Sequence, residues 1–430
     1  MLNHCQFLVK LRGSKTVMIA IMCLSLVIIF NAYTVETNNR FSGDVVNSFS
    51  MHDFIVDQFY QSRKFWTLSK LGDVLYKNEK YPEISEEKKN KTFVILIWKH
   101  WKFLQRRHLF FYGNVQQDPL KECSVKNCMF TGDDDKLGAA DAVIIHLHRG
   151  DIPPSINRKP SQRWIFLNDE SPYNAFALSS RSIHLSSLQN IFNWSMSYRS
   201  DSDVPVPYGR TVGLTKPKLF PGSTVEDLIP NWKRKRRDVL VAILISNCGV
   251  SYRKNLIIGL QEYIPVDVHG KCGDDKLKES CPGHFKSDCE EMSHYLFYLV
   301  LENSKCSEYM TEKLFHNAYH RGAIPIIQGP SVEQCQQFLP PNSYLHVDNY
   351  VDLKELAEDI IRISNNEKEL LLYHDWRNDF EVLNEHGFFG TKSFHLCRVC
   401  EAMNYNDEAV SVYSEKRIFE FLEPSLLCRK

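Results

Sequence analysis

The sequence predicts an α/β protein built as two α/β units facing across a cleft, preceded by one membrane-spanning segment and a stem. Three observations predict it. Short runs rich in Val, Ile, Leu and aromatic residues alternate with helical patterns in two series, which implies parallel, doubly wound sheets. A stretch from 203 to 237, carrying Pro205, Pro207, Pro217, Pro221 and Pro230 and then "KRKRR", divides the series and reads as a linker. Near the N-terminus, Thr16 to Val35 holds no charged residue.

That last run, "TVMIAIMCLSLVIIFNAYTV", spans about 30 Å as a helix, one bilayer core. Lys10, Arg12 and Lys15 precede it and Glu36 follows, so residues 1–15 are expected in the cytoplasm and the rest across the membrane. A cleaved signal peptide is the rival reading. The apolar run outlasts a usual signal core, and no small-x-small site precedes Glu36, which favours an uncleaved type II anchor. Residues 36–90, polar and including "SEEKKNK", read as a stem. Sequons at Asn90 and Asn193 take glycans only in a secretory lumen. Eleven of the 13 cysteines follow the anchor, which suits an oxidising compartment. Eleven is odd, so at least one is free or pairs between chains. Cys397 and Cys400 of "CRVC", with Cys123 and Cys128 of "CSVKNC", fit loose zinc spacing, but a lumenal setting favours disulfides.

In the first series "FVILIW" (93–98), "DAVIIHL" (141–147) and "RWIFLN" (163–168) read as buried strands. The second series comprises "DVLVAILIS" (238–246), "VDVHG" (266–270), "HYLFYLVLE" (294–302), "AIPIIQG" (323–329) and "SYLHV" (343–347). Met310, Leu314 and Ala318 recur every fourth residue, so a helix from Thr311 to Arg321 buries one face, and Gly322 is a natural stop. Residues 353–380 read as strongly helical. Charge balances at 52 against 52, which leaves no nucleic-acid footprint. No glycine-rich dinucleotide fingerprint follows the first strand, and there is no Walker A motif.

Two α/β halves joined by a linker form a cleft, where ligands bind. Lys313 falls in the first turn of its helix, where the positive dipole end disfavours a cation. A diphosphate held by the helix N-terminus and Lys313 would explain it, with Glu312 accepting from sugar hydroxyls; a solvated lysine would serve equally. In "SNCGVSYRKN", Asn247 and Arg253 follow the first strand of the second series, at the edge where parallel sheets bind ligands; a surface pair opening the next helix is the plain alternative. In "FLNDESPYNAF", Asp169 and Glu170 stand at a strand end before Pro172, where a carboxylate can act as a general base or simply fill a turn. "GDDDK" (132–136) reads as a solvated turn, and "WSMSYRSDSD" (194–203) as sugar recognition or a self-capped loop.

The block "LENSKCSEYMTEKLFHNAYHRGAIPIIQG", together with "NDESP", "NWSMSYRSDSDVPVPYG", "ISNCGVSYRKN", "VDVHGKCG" and "YHDWRNDF" in that arrangement over roughly 93–400, resembles the Golgi α1,3/4-fucosyltransferases of glycosyltransferase family 10. The resemblance implies a GT-B fold of two Rossmann-like domains. On that reading 91–220 is an acceptor-side domain, 221–237 a linker, 238–375 the GDP-fucose-binding domain, and 376–430 a segment packing back on the first domain. It implies GDP-β-L-fucose as donor and inversion to an α-fucoside. Glu170 would be the general base, and Arg253 and Lys313 would neutralise the diphosphate. Tyr309 and Glu312 would contact the nucleoside, and Asn247 and Glu302 would belong to the donor pocket. Cys123 and Cys128 would bond to Cys397 and Cys400. The resemblance implies no metal site and no required cofactor, with stimulation by Mn2+ allowed. Partners would be GDP-fucose, a glycan or glycoprotein acceptor and the Golgi membrane, with no nucleic acid and a homodimer left open. "PSINRKPSQRW" departs from the family pattern, and the acceptor-side loops carry no subfamily mark. Antennal N-acetyllactosamine, the innermost GlcNAc of an N-glycan and a protein hydroxyl therefore all stay open as acceptors, beside a catalytically silent lumenal member and a transferase of another nucleotide sugar.

Overall fold

The computed structural model describes residues 48–154, 158–220, 222–282, 288–409 and 411–429. The expected anchor at 16–35 lies outside them, and among the described residues no helix is long and apolar enough to cross a membrane. The strands, in chain order, are β1 (Phe93–Ile97), β2 (Cys128–Thr131), β3 (Ala142–His146), β4 (Arg163–Asn168), β5 (Trp194–Ser197), β6 (Val204–Pro205), β7 (Gly209–Gly213), β8 (Val241–Leu244), β9 (Val266–His269), β10 (Phe297–Leu301), β11 (Ile324–Gln328), β12 (Leu345–His346) and β13 (Phe380–Asn384). They form a six-stranded sheet ordered β2-β1-β3-β4-β5-β6 and a five-stranded sheet ordered β12-β11-β10-β8-β9. Every pairing in both is parallel. Central strands buried on both faces read as continuous apolar runs, which is why β1, β3, β4, β8, β10 and β11 are visible in the sequence.

The strands that escape such a reading are short or polar. β5 is "WSMS" and β6 is "VP", and each gains its order from the neighbour already in place. The supposed linker at 203–237 is therefore structured at its start. β6 closes the first sheet, and β7 pairs antiparallel with β13. Gly209 is required there, because a Cβ would sit 2.3 Å from the Leu383 carbonyl oxygen. The helical run at 353–380 is broken too. Asn366 accepts from the Glu369 N–H and so starts a second helix, Glu367–Leu372, after Leu353–Asn365.

Residues 48–90 do not stand apart as a stem. Phe59 enters the core between the sheets, and Leu71, Leu75 and Tyr76 pack beneath β1 and β3. The i, i+4 spacing of Leu71 and Leu75 makes an apolar stripe that the polar composition of the segment conceals. Arg63, 1% exposed, lies 4.0 Å over the Phe59 ring and donates to the Tyr76 and Gln337 carbonyls. At the other end of the chain, Leu396, Val399 and Ala402 of helix His395–Tyr405 join the same core as β1 and β3. Disulfides Cys123–Cys397 and Cys128–Cys400 clamp that helix to the first sheet, so the zinc reading of these cysteines lapses. Cys248–Cys272, Cys281–Cys289 and Cys306–Cys428 are also bonded, and Cys335 is free and buried.

Of the two sequons, Asn90 is exposed. Asn193 is 2% exposed, and its Nδ2 donates to the Ser411 carbonyl at 2.8 Å while Oδ1 accepts from the Trp164 N–H at 2.9 Å. That amide is consumed by the fold, and a glycan on it has no space. Asn193 is a structural asparagine.

Candidate active site

The carboxyl ends of β4 and β10 meet at the cleft. β4 runs into Asp169, Glu170 and Ser171, and β10 into Glu302, Asn303 and Ser304. Asn168 fixes the backbone of Glu170 on both sides, accepting from its N–H at 3.3 Å and donating to its carbonyl at 3.0 Å. Across the cleft, Asn303 Nδ2 donates to Glu170 Oε2 at 3.2 Å and the Tyr309 hydroxyl donates to the same oxygen at 3.0 Å. The Ser171 and Ser304 hydroxyls bond at 2.9 Å, joining the two loops directly. Burial, and then the neighbouring Asp169 charge, raise the pKa of Glu170, while Asn303 and Tyr309 pull it back. A half-buried carboxylate held by neutral donors and strengthened as a base is what proton abstraction from a hydroxyl requires.

Tyr309, which the resemblance assigns to a nucleoside contact, also reaches the carboxylate across the cleft. Its ring is buried against Tyr198 at 5.0 Å and its hydroxyl serves Glu170. Asn303, adjacent to the expected Glu302, was missed. Its position after a strand was legible, but the partner across the cleft was not.

The cations stand on helices that follow strands of the second sheet, Arg253 on Ser251–Gln261 after β8 and Lys313 on Lys313–His320 after β10. Helix Lys313–His320 is a π-helix with Glu312 at its N-cap and Leu314 to Tyr319 all buried, not an α-helix burying one face. Gly322 ends the turn at φ +69, and a Cβ there would meet the Pro230 carbonyl oxygen at 2.3 Å. Lys313 Nζ reaches Glu302 Oε2 and Glu312 Oε1, each at 3.1 Å, and Thr311 Oγ1 at 2.9 Å. Burial opposes its charge, but those two carboxylates carry its pKa upward. Glu302, wholly buried, also accepts from the Thr311 N–H at 2.8 Å. Its carbonyl accepts from Arg253 Nε at 2.8 Å and from the Tyr252 hydroxyl. Arg253 is 3% exposed, and its Nη2 is buried with no protein partner. Glu302 thus orders both cations, a role its sequence neighbours do not announce. Asn247 stands apart on an exposed loop after β8, accepting from the Gly249 N–H at 3.3 Å, and Cys248–Cys272 ties that loop to the one after β9.

The segment 194–203 spends its polar groups internally. Arg199 pairs with Asp201 at 2.7 Å, and Asp203 accepts from the Ser195 N–H and the Tyr413 hydroxyl. That pairing fits the self-capped reading of this segment. Among the described residues, Asp169, His386 and His395 lie near enough to share a metal ion. Asp169 Oδ2 already receives Arg107 Nη1 at 2.5 Å and faces His386 Nε2 at 3.2 Å, so a metal would have to displace a guanidinium. That donor set does not fit one.

Residues 90–209 match the N-terminal fucosyltransferase family, and residues 232–417 match glycosyltransferase family 10 (fucosyltransferase) C-term. Human FUT5, a 4-galactosyl-N-acetylglucosaminide 3-α-L-fucosyltransferase, is 34% identical over 320 residues, 72% of this chain and 75% of its own. FUT3 of Pan troglodytes, a 3-galactosyl-N-acetylglucosaminide 4-α-L-fucosyltransferase, is 33% identical over 321 residues, with 72% and 75% covered. Mouse α-(1,3)-fucosyltransferase 7 is 30% identical over 319 residues, with 73% and 72% covered. An α1,3-fucosyltransferase crystal structure aligns over 80% of this chain and 100% of that one at 15% identity and a TM-score of 0.45. The molecule is a glycosyltransferase. Its chain belongs to glycosyltransferase family 10, the fucosyltransferases.

Proposed function

We propose that the protein is an inverting α1,3-fucosyltransferase that moves L-fucose from GDP-β-L-fucose to a GlcNAc residue of glycoprotein glycans. The observation that carries this reading is Glu170, whose Oε2 is fixed by Asn303 and Tyr309 while Lys313 and Arg253 stand on helices beside the second sheet. Glu170 takes the proton of the acceptor hydroxyl as its oxygen attacks the anomeric carbon, and the bond to GDP breaks on the opposite face. Arg253 and Lys313 meet the charge that builds on the leaving diphosphate. Glu312 accepts from the ribose, and Asn247 closes the donor pocket from its loop. With Arg253 and Lys313 meeting that charge, turnover is expected to survive chelation, with Mn2+ a stimulant. The names of the relatives support a GlcNAc acceptor and fucose as the sugar. The disulfides and the exposed Asn90 sequon support a secretory lumen, and the uncharged run at 16–35 a type II anchor in the Golgi membrane.

The test is transfer of labelled fucose from GDP-fucose by the purified full chain, with chelator present, to panels of N-acetyllactosamine glycans, N-glycan cores and folded protein domains. Label on a GlcNAc acceptor is the expected result. Label only on a protein hydroxyl would replace the acceptor, and failure to bind GDP would overturn the donor site.

A further inference from the structure

Behind Glu170 lies a cluster of buried titratable side chains drawn from four parts of the chain. Arg107 and His108 end helix Trp101–His108, His146 ends β3, Asp169 follows β4, and His386 and His395 lie beyond β13. Arg107 Nη1 meets Asp169 Oδ2 at 2.5 Å, His386 Nε2 lies 3.2 Å from that oxygen, and His146 Nε2 lies 3.6 Å from Oδ1. His386 lies flat on Tyr208, ring centroids 3.8 Å apart, and the Tyr208 hydroxyl donates to the Asp169 carbonyl at 2.7 Å. His108 stacks on His395 at 4.1 Å, and both face the Ser393 hydroxyl. Burial disfavours the protonated form of all four histidines.

The cluster thus reduces to one ion pair inside a neutral shell. Such a pair is costly to bury and adds little net stability over apolar packing. It stands one residue before the base, with its side chain, its carbonyl and the following carboxylate all held. We propose that Arg107, Asp169 and His386 are positioning residues that aim Glu170 into the cleft and set its strength as a base. This rests on Glu170 being the base.

The electrostatics follow from the geometry. Burial works against the Asp169 charge, but the Arg107 guanidinium, together with the hydrogen bond from His386, holds its carboxyl well below the usual range. A permanent negative charge therefore sits beside Glu170 and raises its affinity for a proton. The other groups facing Glu170 are His148 beyond β3, Tyr198 beyond β5, Tyr208 before β7, and Asn303 and Tyr309 beyond β10, with Glu312 facing Tyr208 and Tyr309. Asp169 differs from all of these in being peptide-bonded to Glu170.

The two halves of the ion pair should act in opposite directions. Asp169→Asn removes the negative charge, so the acid limb of the kcat/KM profile should move to lower pH by roughly one pH unit, with kcat falling about tenfold or more. Arg107→Met leaves Asp169 uncompensated, so the limb should move to higher pH. His386→Phe keeps a flat ring on Tyr208 but loses the contact to Asp169, which should move the limb upward by less. The experiment is the pH profile of fucose transfer by the full chain for these three variants and Glu170→Gln, using GDP-fucose and N-acetyllactosamine, with GDP affinity as the control for a folded site. Opposite shifts with unchanged GDP affinity are expected. Should the charge variants fail to bind GDP, the His386→Phe limb decides alone. A limb that stays at the wild-type position in every variant that binds GDP would show a merely structural cluster and overturn the proposal. Near-normal turnover by Glu170→Gln would instead overturn the reading on which it rests.

Discussion

Glu170 and Glu302 occupy equivalent places, each just beyond a central parallel strand, and they are held in opposite ways. Glu302 is wholly buried and takes Lys313 at 3.1 Å and the Thr311 N–H at 2.8 Å. Glu170 is half-buried and takes two neutral donors on one oxygen, with the Asp169 charge beside it. A carboxylate with a cation on it serves as a strut that keeps that cation in place. One surrounded by neutral donors in a place poor in water keeps its affinity for protons. The topology is shared, and the partners decide the role.

The largest effect that would break this comparison lies at Glu170. Glu170→Gln should lower kcat by about 10²–10⁴-fold with GDP affinity unchanged, read by steady-state kinetics and calorimetry. Equal kcat would leave Glu170 a strut like Glu302. Glu302→Gln should act on stability instead, because Lys313 loses a buried counter-charge; a loss of about 3–5 kcal/mol in denaturant unfolding is expected, together with weaker GDP binding. Unfolding at the wild-type midpoint would refute the strut.

Glu385 sharpens the contrast as an extreme strut. Arg210 holds it at 2.7 and 2.8 Å and Arg398 at 3.0 Å. Burial alone would raise its pKa, but the two guanidinia hold it at about 2 against an ordinary 4.5. A depressed folded pKa stabilises the fold above the unfolded pKa and loses that contribution as pH falls through the folded one. The Tm difference between wild type and Glu385→Gln should therefore be full above about pH 4.5 and shrink toward pH 2. The smallest effect belongs to Tyr309→Phe. Losing one neutral hydrogen bond costs about 1 kcal/mol, roughly fivefold in kcat. Because that bond lowers the Glu170 pKa, the acid limb should move to higher pH. A limb that stays in place would show that Tyr309 does not reach the base during turnover.

The readable part of the fold was the part whose physics is local. β4 falls on "RWIFLN" as expected, because an apolar run buried on both faces needs no partner to be recognised. Glu170, Arg253 and Lys313 were legible as charged residues at strand and helix ends. The Arg107–Asp169–His386 cluster was not, since its members lie 62 and 217 residues apart in sequence and share no motif. Nor was the fate of Asn193, whose three-residue sequon says nothing of the Ser411 carbonyl that takes its amide.

By itself the sequence determined the two parallel series, the helix stop at Gly322 and the charged residues offered to the cleft, all set by backbone preference and hydrophobic period within a few residues. Tertiary structure alone decided which carboxylate meets a cation and which meets neutral donors, that residues 48–90 join the core, and that the Tyr309 hydroxyl reaches Glu170. Those outcomes depend on which partner arrives within about 3 Å, and a hydrogen bond or ion pair across the cleft depends on the whole fold that brings its ends together.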